Sequence, residues 1–265
     1  MLSKIRVAGK IALIASYTAP LMLAQGLALR TGWWSERRVP QLWHRTTLKI
    51  LRIRVRTNGS AARGQPVLLA SNHVSWTDIL VLGSITGVHF VAKSEVRNWP
   101  VMGQFARLQR SVFVERERKR ASSDQAREIA TRLSDGDPMV LFAEGTTGDG
   151  NRVLPFKSTL FGAAKLAMNE TGSSVLVQPV AIAYVARRGL KLNRSERSDV
   201  AWIGDADFVP HLLEILKRGH IDVEVIFGDP IEFSPDSDRK EIARLAERQV
   251  RQMLASTLRR DRRGD

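Results

Sequence analysis

His73 and Asp78 stand five residues apart in the string Ser71-Asn72-His73-Val74-Ser75-Trp76-Thr77-Asp78. A short apolar run, Pro66 to Ala70, leads into the string, so the histidine falls just past the end of a predicted strand. If a helix begins just after His73, a turn and a half brings the carboxylate back to the imidazole's side. Asp78 then accepts from one ring nitrogen, fixes the tautomer and leaves the other nitrogen as a base. The same spacing suits a strand-end histidine with a structural hydrogen bond and a locally capping aspartate, and spacing alone leaves both readings open. A second predicted strand, Pro138 to Phe142, ends in Ala143-Glu144-Gly145-Thr146-Thr147. A carboxylate there can accept hydrogen bonds from a polyol or amide head group, and the glycine permits close approach. Its plainer use is a helix cap or a turn joined to Gly148-Asp149-Gly150.

The rest of the composition narrows the chemistry. The chain has 265 residues and no cysteine, which removes disulfides, thiolate zinc sites, iron–sulfur clusters and a cysteine nucleophile. None of the five histidines has a metal-ligand spacing, and no G-x-S-x-G elbow occurs. The simplest task left for a His–Asp pair is to activate a substrate hydroxyl directly, without a covalent enzyme intermediate.

The elements that must position these residues alternate. Strands are expected at Val88–Ala92, Ser111–Val114 and Val175–Tyr184, besides the two already named. Helices are expected from a capping box at Ser122 and Gln125 to about Leu133, over Phe161–Met168, around Leu212–Leu216, and from Ser234-Pro235 to the C-terminus. Ile221, Val223, Val225 and Phe227 alternate with Asp222 and Glu224, which predicts a strand at an edge or over solvent on one side. The expected fold is α/β, a mixed and mainly parallel sheet covered by helices.

The first 57 residues read as an anchor and interfacial segment ahead of an enzymatic body at 58–265. Ile11 to Leu29 are 19 uncharged residues, about 28 Å of helix, interrupted by Pro20, Gln25 and Gly26. A straight span and a kinked or re-entrant anchor both fit, as do a cleaved signal peptide and a buried soluble helix. Residues 30–56 then hold eight Lys or Arg against one Glu, with Trp33, Trp34 and Trp43 among them, a composition suited to the headgroup level. The heavier positive cluster follows the run, which places the body on the cytoplasmic face of the inner membrane. A net charge of +14 fits an anionic membrane surface. It also fits a non-enzymatic nucleic-acid or membrane-surface binder, but no stacking or recognition motif supports nucleic acid as a partner.

Four ordered motifs across roughly residues 60–190 resemble the bacterial 1-acyl-glycerol-3-phosphate acyltransferase family: NHVSWTD, SVFVER, FAEGT and VQPVAIAY. The resemblance implies transfer of an acyl chain from acyl carrier protein or acyl-CoA to the free hydroxyl of a lysolipid in the bilayer, with no metal or other cofactor. It makes His73 the base and Asp78 its holder, and puts Arg116 on an acidic head group. Glu144 and Gly145 then position the acceptor, alongside Thr146, Thr147 and Lys157, and Pro179 shapes the acyl or acceptor pocket. Lysophosphatidate is the family's acceptor and the leading expectation. The chain departs from the pattern at Ala143, Thr147, Arg110 and Thr159, which removes the arginine common after the motif threonine; Arg110, Arg152 or Lys157 could replace it. FAEGTTGDGNRVLPFKS also resembles the lyso-ornithine lipid acyltransferase branch, whose acceptor has a zwitterionic amino-acid head group.

Overall fold

The computed structural model describes residues 2–114, 121–162, 164, 165, 168, 174–204 and 206–263. Among these, nine strands form one sheet: β1 (Ile53–Asn58), β2 (Val67–Ser71), β3 (His89–Lys93), β4 (Val112–Val114), β5 (Met139–Phe142), β6 (Val175–Arg187), β7 (Leu190–Lys191), β8 (Ile221–Phe227) and β9 (Ile231–Phe233). The order is β1-β8-β6-β2-β5-β3-β4, with β7 and β9 also pairing to β6. β6, β2, β5, β3 and β4 run parallel, while β8 is antiparallel to β6 and parallel to β1. The sheet is therefore mixed and mainly parallel.

Both faces are covered, which is why the central strands are apolar without alternation. On β2, Val67 and Leu69 pack with α2 (Arg38–Leu51), α3 (Thr77–Ile85) and α7 (Phe208–Arg218). Leu68 and Ala70 pack on the opposite face with α5 (Ala121–Ser134) and α8 (Arg239–Arg263). Complete burial of a Leu or Val side chain contributes about 1.5–3 kcal/mol. The two faces of β2 thus fix its register, and with it the direction in which the chain leaves Ser71.

Several expectations need correction. β8 lies between β1 and β6 rather than at an edge; its polar face is half-covered by ion pairs of Asp222 with Arg54 and Glu224 with Arg260. β1 begins at Ile53, so the division at 57/58 falls inside a sheet strand. α5 begins at Ala121, which puts Ser122 inside the helix rather than at its cap. The last helix begins at Arg239 instead of Ser234-Pro235, because Ser234 is held in a turn by Ser237 and the carbonyl of Asp238 accepts the first helical amide, from Ile242. The helix expected over Phe161–Met168 opens as a 3₁₀ turn at Ser158–Phe161 and lies partly outside the described residues.

α1 (Leu2–Thr31) is one continuous helix with Pro20 inside it, an arrangement that belongs to a span and not to a re-entrant loop. Its polar residues face the body: Lys10 donates to the Leu216 carbonyl, Tyr17 bonds Thr47, and Gln25 donates to the carbonyls of Glu36 and Leu108. Seven- and eight-residue spacings put these groups on one helical face. Its opposite face is apolar and turned outward, with Leu23 77% and Leu13 53% exposed, while Val7 and Ala28 are buried against the body. A helix with polar groups inward and leucines outward has the pattern of an element bathed in lipid, and it is not the buried helix of a soluble domain. It is long and apolar enough to cross a membrane.

Candidate active site

Ser71 and Phe142 are register partners at the C-terminal ends of β2 and β5. Two residues past each come His73 and Glu144, so sheet register alone brings both motifs together. This is also where open α/β sheets bind their ligands. Asn72 extends the β2–β6 ladder with its side chain, accepting from the Ile182 amide at 2.8 Å and donating to the Ile182 carbonyl at 3.0 Å. The chain then turns out of the sheet at His73.

The His73 ring lies on Phe142, with centroids 3.8 Å apart and planes 12° from parallel. Its Nδ1 is 2.8 Å from Asp78 Oδ2. The helix carrying Asp78 begins at Thr77, later than the spacing argument assumes, and the 74–76 loop closes the distance. Asp78 Oδ2 also accepts from the amides of Val74, at 2.6 Å, and Ser75, at 2.9 Å. Asp78 Oδ1 accepts from the Tyr184 hydroxyl at 2.6 Å, and that hydroxyl also bonds Thr77 Oγ1. The aspartate is fully buried with four donors around it, which is how an ionised carboxylate survives away from water. A carboxylate on Nδ1 makes that nitrogen the proton-bearing one, and Nε2 carries the lone pair. Among the described residues Nε2 has no protein partner, and the side chain stays 16% exposed. The pair is therefore an oriented base with an open acceptor nitrogen.

Both carboxylate oxygens of Glu144 go to backbone amides. Its Oε2 accepts the His73 amide at 2.9 Å and its Oε1 the Leu154 amide at 2.7 Å, so the carboxyl braces the catalytic loop from beneath. Burial pushes it up to about 8, although the two backbone amides pull the other way. Between the usual glutamate value and 8 the folded protein then holds a proton that the unfolded chain lacks. Stability accordingly falls as pH rises from about 4.5 to 8. Glu144→Gln should lose that slope. It should also lower stability at pH 5 by about 1–3 kcal/mol, since an amide NH2 must face one backbone N–H. Thermal midpoints of both proteins at pH 5, 6.5 and 8 check this, and parallel pH profiles would contradict it.

Gly145 adopts φ 71°, a left-handed conformation costly for other residues, as it closes the turn onto the Phe142 carbonyl. Thr146 is exposed, whereas Thr147 is buried. Lys157 is exposed, and its amide donates to the Ala143 carbonyl. Pro179 is buried in mid-sheet opposite Ala70, at the point where β6 passes from β9 to β8, so it belongs to the sheet and not to a pocket wall. Its missing N–H is tolerated at that break in pairing. Arg110 is committed to Glu36 at 2.5 Å, ahead of β4 and at the end of the sheet away from His73, so it is no substitute head-group ligand. Arg116 lies outside the described residues. Glu36, His89 and Asp137 cluster at that far end too, with Arg110 and Arg37 paired to the two carboxylates.

Sequence reading missed Tyr184 and Asn72. A tyrosine closing an apolar strand must find a partner for its hydroxyl, and that was the available signal for Tyr184. Asn72 sits inside the first motif, but nothing in the sequence marks it as a strand substitute.

Comparison with known proteins agrees with this geometry. A family profile described as Acyltransferase matches residues 52–183. The lyso-ornithine lipid O-acyltransferase of Brucella abortus is 53% identical over 233 residues, 88% of this chain and 86% of that protein. Its counterpart in Rhizobium meliloti is 45% identical over 260 residues, 98% and 89% of the two chains. The 1-acyl-sn-glycerol-3-phosphate acyltransferase of Neisseria gonorrhoeae is 30% identical over 71% of this chain and 69% of its own length. The crystal structure of the 1-acyl-sn-glycerophosphate acyltransferase of Thermotoga maritima shares the fold, with TM-score 0.57 at 21% identity over 96% of this chain and 97% of that one. Members of this family take acyl groups from CoA or carrier-protein thioesters and need no metal or small-molecule cofactor. The non-enzymatic reading is thereby set aside: the chain belongs to the bacterial lyso-ornithine lipid and glycerophosphate acyltransferases, enzymes that acylate lysolipids.

Proposed function

We propose that this enzyme is a lyso-ornithine lipid O-acyltransferase working at the cytoplasmic face of the inner membrane. The carrying observation is the identity of 53% to the Brucella abortus protein, against 30% to the Neisseria gonorrhoeae glycerophosphate enzyme. This reverses the order of acceptors expected from the motifs. Threonine at 147, in place of the arginine common after the motif threonine, supports the change, because it offers no cation to a phosphate monoester. Lysophosphatidate remains the second reading, on the strength of the four motifs.

In the reaction His73 Nε2 takes the proton from the acceptor's free hydroxyl as its oxygen bonds to the thioester carbon. The carbon–sulfur bond breaks, and the imidazolium, steadied by Asp78, returns the proton to the departing thiolate. Arg116 pairs with the acceptor's carboxylate through its planar fork, and Lys157 and Thr146 meet the head group from the motif's exposed edge. Glu144, Gly145 and Thr147 act through the shape of the loops, and Pro179 through the sheet that carries them. Residues 1–57 serve as anchor and interfacial segment, with the end of that segment also forming most of β1, and 58–265 supply the rest of the catalytic body, with acyl carrier protein or CoA delivering the donor.

The test is kcat/KM for lyso-ornithine lipid and lysophosphatidate in the same mixed micelles with one donor. Preference for lyso-ornithine lipid by tenfold or more is expected. Equal use, or a preference for lysophosphatidate, would overturn the acceptor assignment.

A further inference from the structure

Close to the catalytic loop the chain exposes apolar side chains that no packing explains. Val101 is 59% exposed, Val209 61%, Ile203 46% and Trp99 40%. They come from two separate parts of the chain, the approach to α4 (Met102–Leu108) and the residues Trp202, Ile203, Phe208 and Val209, joined where the Trp99 and Trp202 rings meet edge to face at 6.2 Å. Trp202 and Phe208 tie the second part to the active site twice over. The Trp202 amide donates to the carbonyl of Val74, the neighbour of His73, and Phe208 packs on Trp76 at 5.3 Å. Val101 holds φ 66°, a conformation that β-branched residues resist, and does so on an exposed tip.

From these observations we infer that Trp99 and Val101, together with Trp202, Ile203 and Val209, form a second bilayer-contacting surface, separate from α1, at the mouth of the catalytic site. The inference rests on the lysolipid reading above, since it supplies the door through which long-chain substrates leave the leaflet. The bilayer is the occupant for two reasons. α4 connects the tips directly to the lipid-facing helix, because the carbonyl of its last residue, Leu108, accepts from Gln25 of α1. Isolated tryptophan, valine and isoleucine tips also match an interfacial surface better than the flat apolar face of a dimer.

The chain has no cysteine, so single labels are clean. Val209→Cys carrying an environment-sensitive fluorophore should brighten at least twofold on vesicles of phosphatidylglycerol and phosphatidylcholine, while the same label at Ser256→Cys on α8 stays unchanged. An unchanged Val209 label would overturn the proposal whatever the enzyme's substrate proves to be. The Ile203→Asp/Val209→Asp double variant should raise KM for vesicle-embedded acceptor about tenfold. It should leave kcat/KM for a monomeric short-chain acceptor within twofold. Equal losses on both acceptors, or a dimer of the wild type that the variant abolishes, would assign the tips to folding or to a second copy instead.

Discussion

His73→Ala should lower kcat/KM by about 10³- to 10⁴-fold and leave a folded protein behind. The imidazole is the base, and its open Nε2 is the atom that receives the acceptor's proton. The loop does not need the ring to hold its shape. The His73 backbone is gripped by Glu144 from its amide and by Gly148 from its carbonyl, and neither bond involves the side chain. Asp78 keeps three donors when the ring leaves, from Val74, Ser75 and Tyr184, so no unsatisfied charge is created. The structural loss is the stacking on Phe142, about 0.5–1.5 kcal/mol. Steady-state kinetics with a thermal melt on the same preparation separates the two effects. Full turnover by the purified variant would remove His73 from the mechanism.

How much of this was legible follows from where each signal resides. β2 and β5 could be read because strands buried on both faces are short unbroken apolar runs closed by polar turns, and His73 and Asp78 could be read because both partners lie within one turn of chain. Tyr184 was not readable as the third member, being 106 residues from Asp78 and brought to it only by the β2–β6 pairing. Glu144 could be picked out as a residue, but nothing local announces that both its oxygens go to backbone amides. β1 was hidden by charge: Arg54 and Arg56 made Ile53–Asn58 look like more of the basic segment, although Ile53 and Val55 alternate with them toward the core. For α1 the length was plain, but its inverted face depends on what Lys10, Tyr17 and Gln25 reach across the fold.

Asp78→Asn tests what the carboxylate contributes beyond holding the ring. Three donors converge on Oδ2 and one hydroxyl on Oδ1. An asparagine can meet this arrangement in one orientation, with its oxygen toward His73, Val74 and Ser75 and its NH2 toward Tyr184. The Tyr184 hydroxyl then reverses, accepting from the amide and donating to Thr77 Oγ1, 2.6 Å away. Fold and tautomer both survive, and only the negative charge beside the forming imidazolium is lost. We therefore expect kcat to fall about 10²- to 10³-fold with KM for the acceptor nearly unchanged, a smaller loss than for His73→Ala. Tyr184→Phe combined with Asp78→Asn removes the hydroxyl that would accept from the NH2, the one partner of that position among the described residues, so the double variant should be less stable than the sum of the two singles. An Asp78→Asn enzyme as slow as His73→Ala would mean that the ring has lost its position rather than its charge partner.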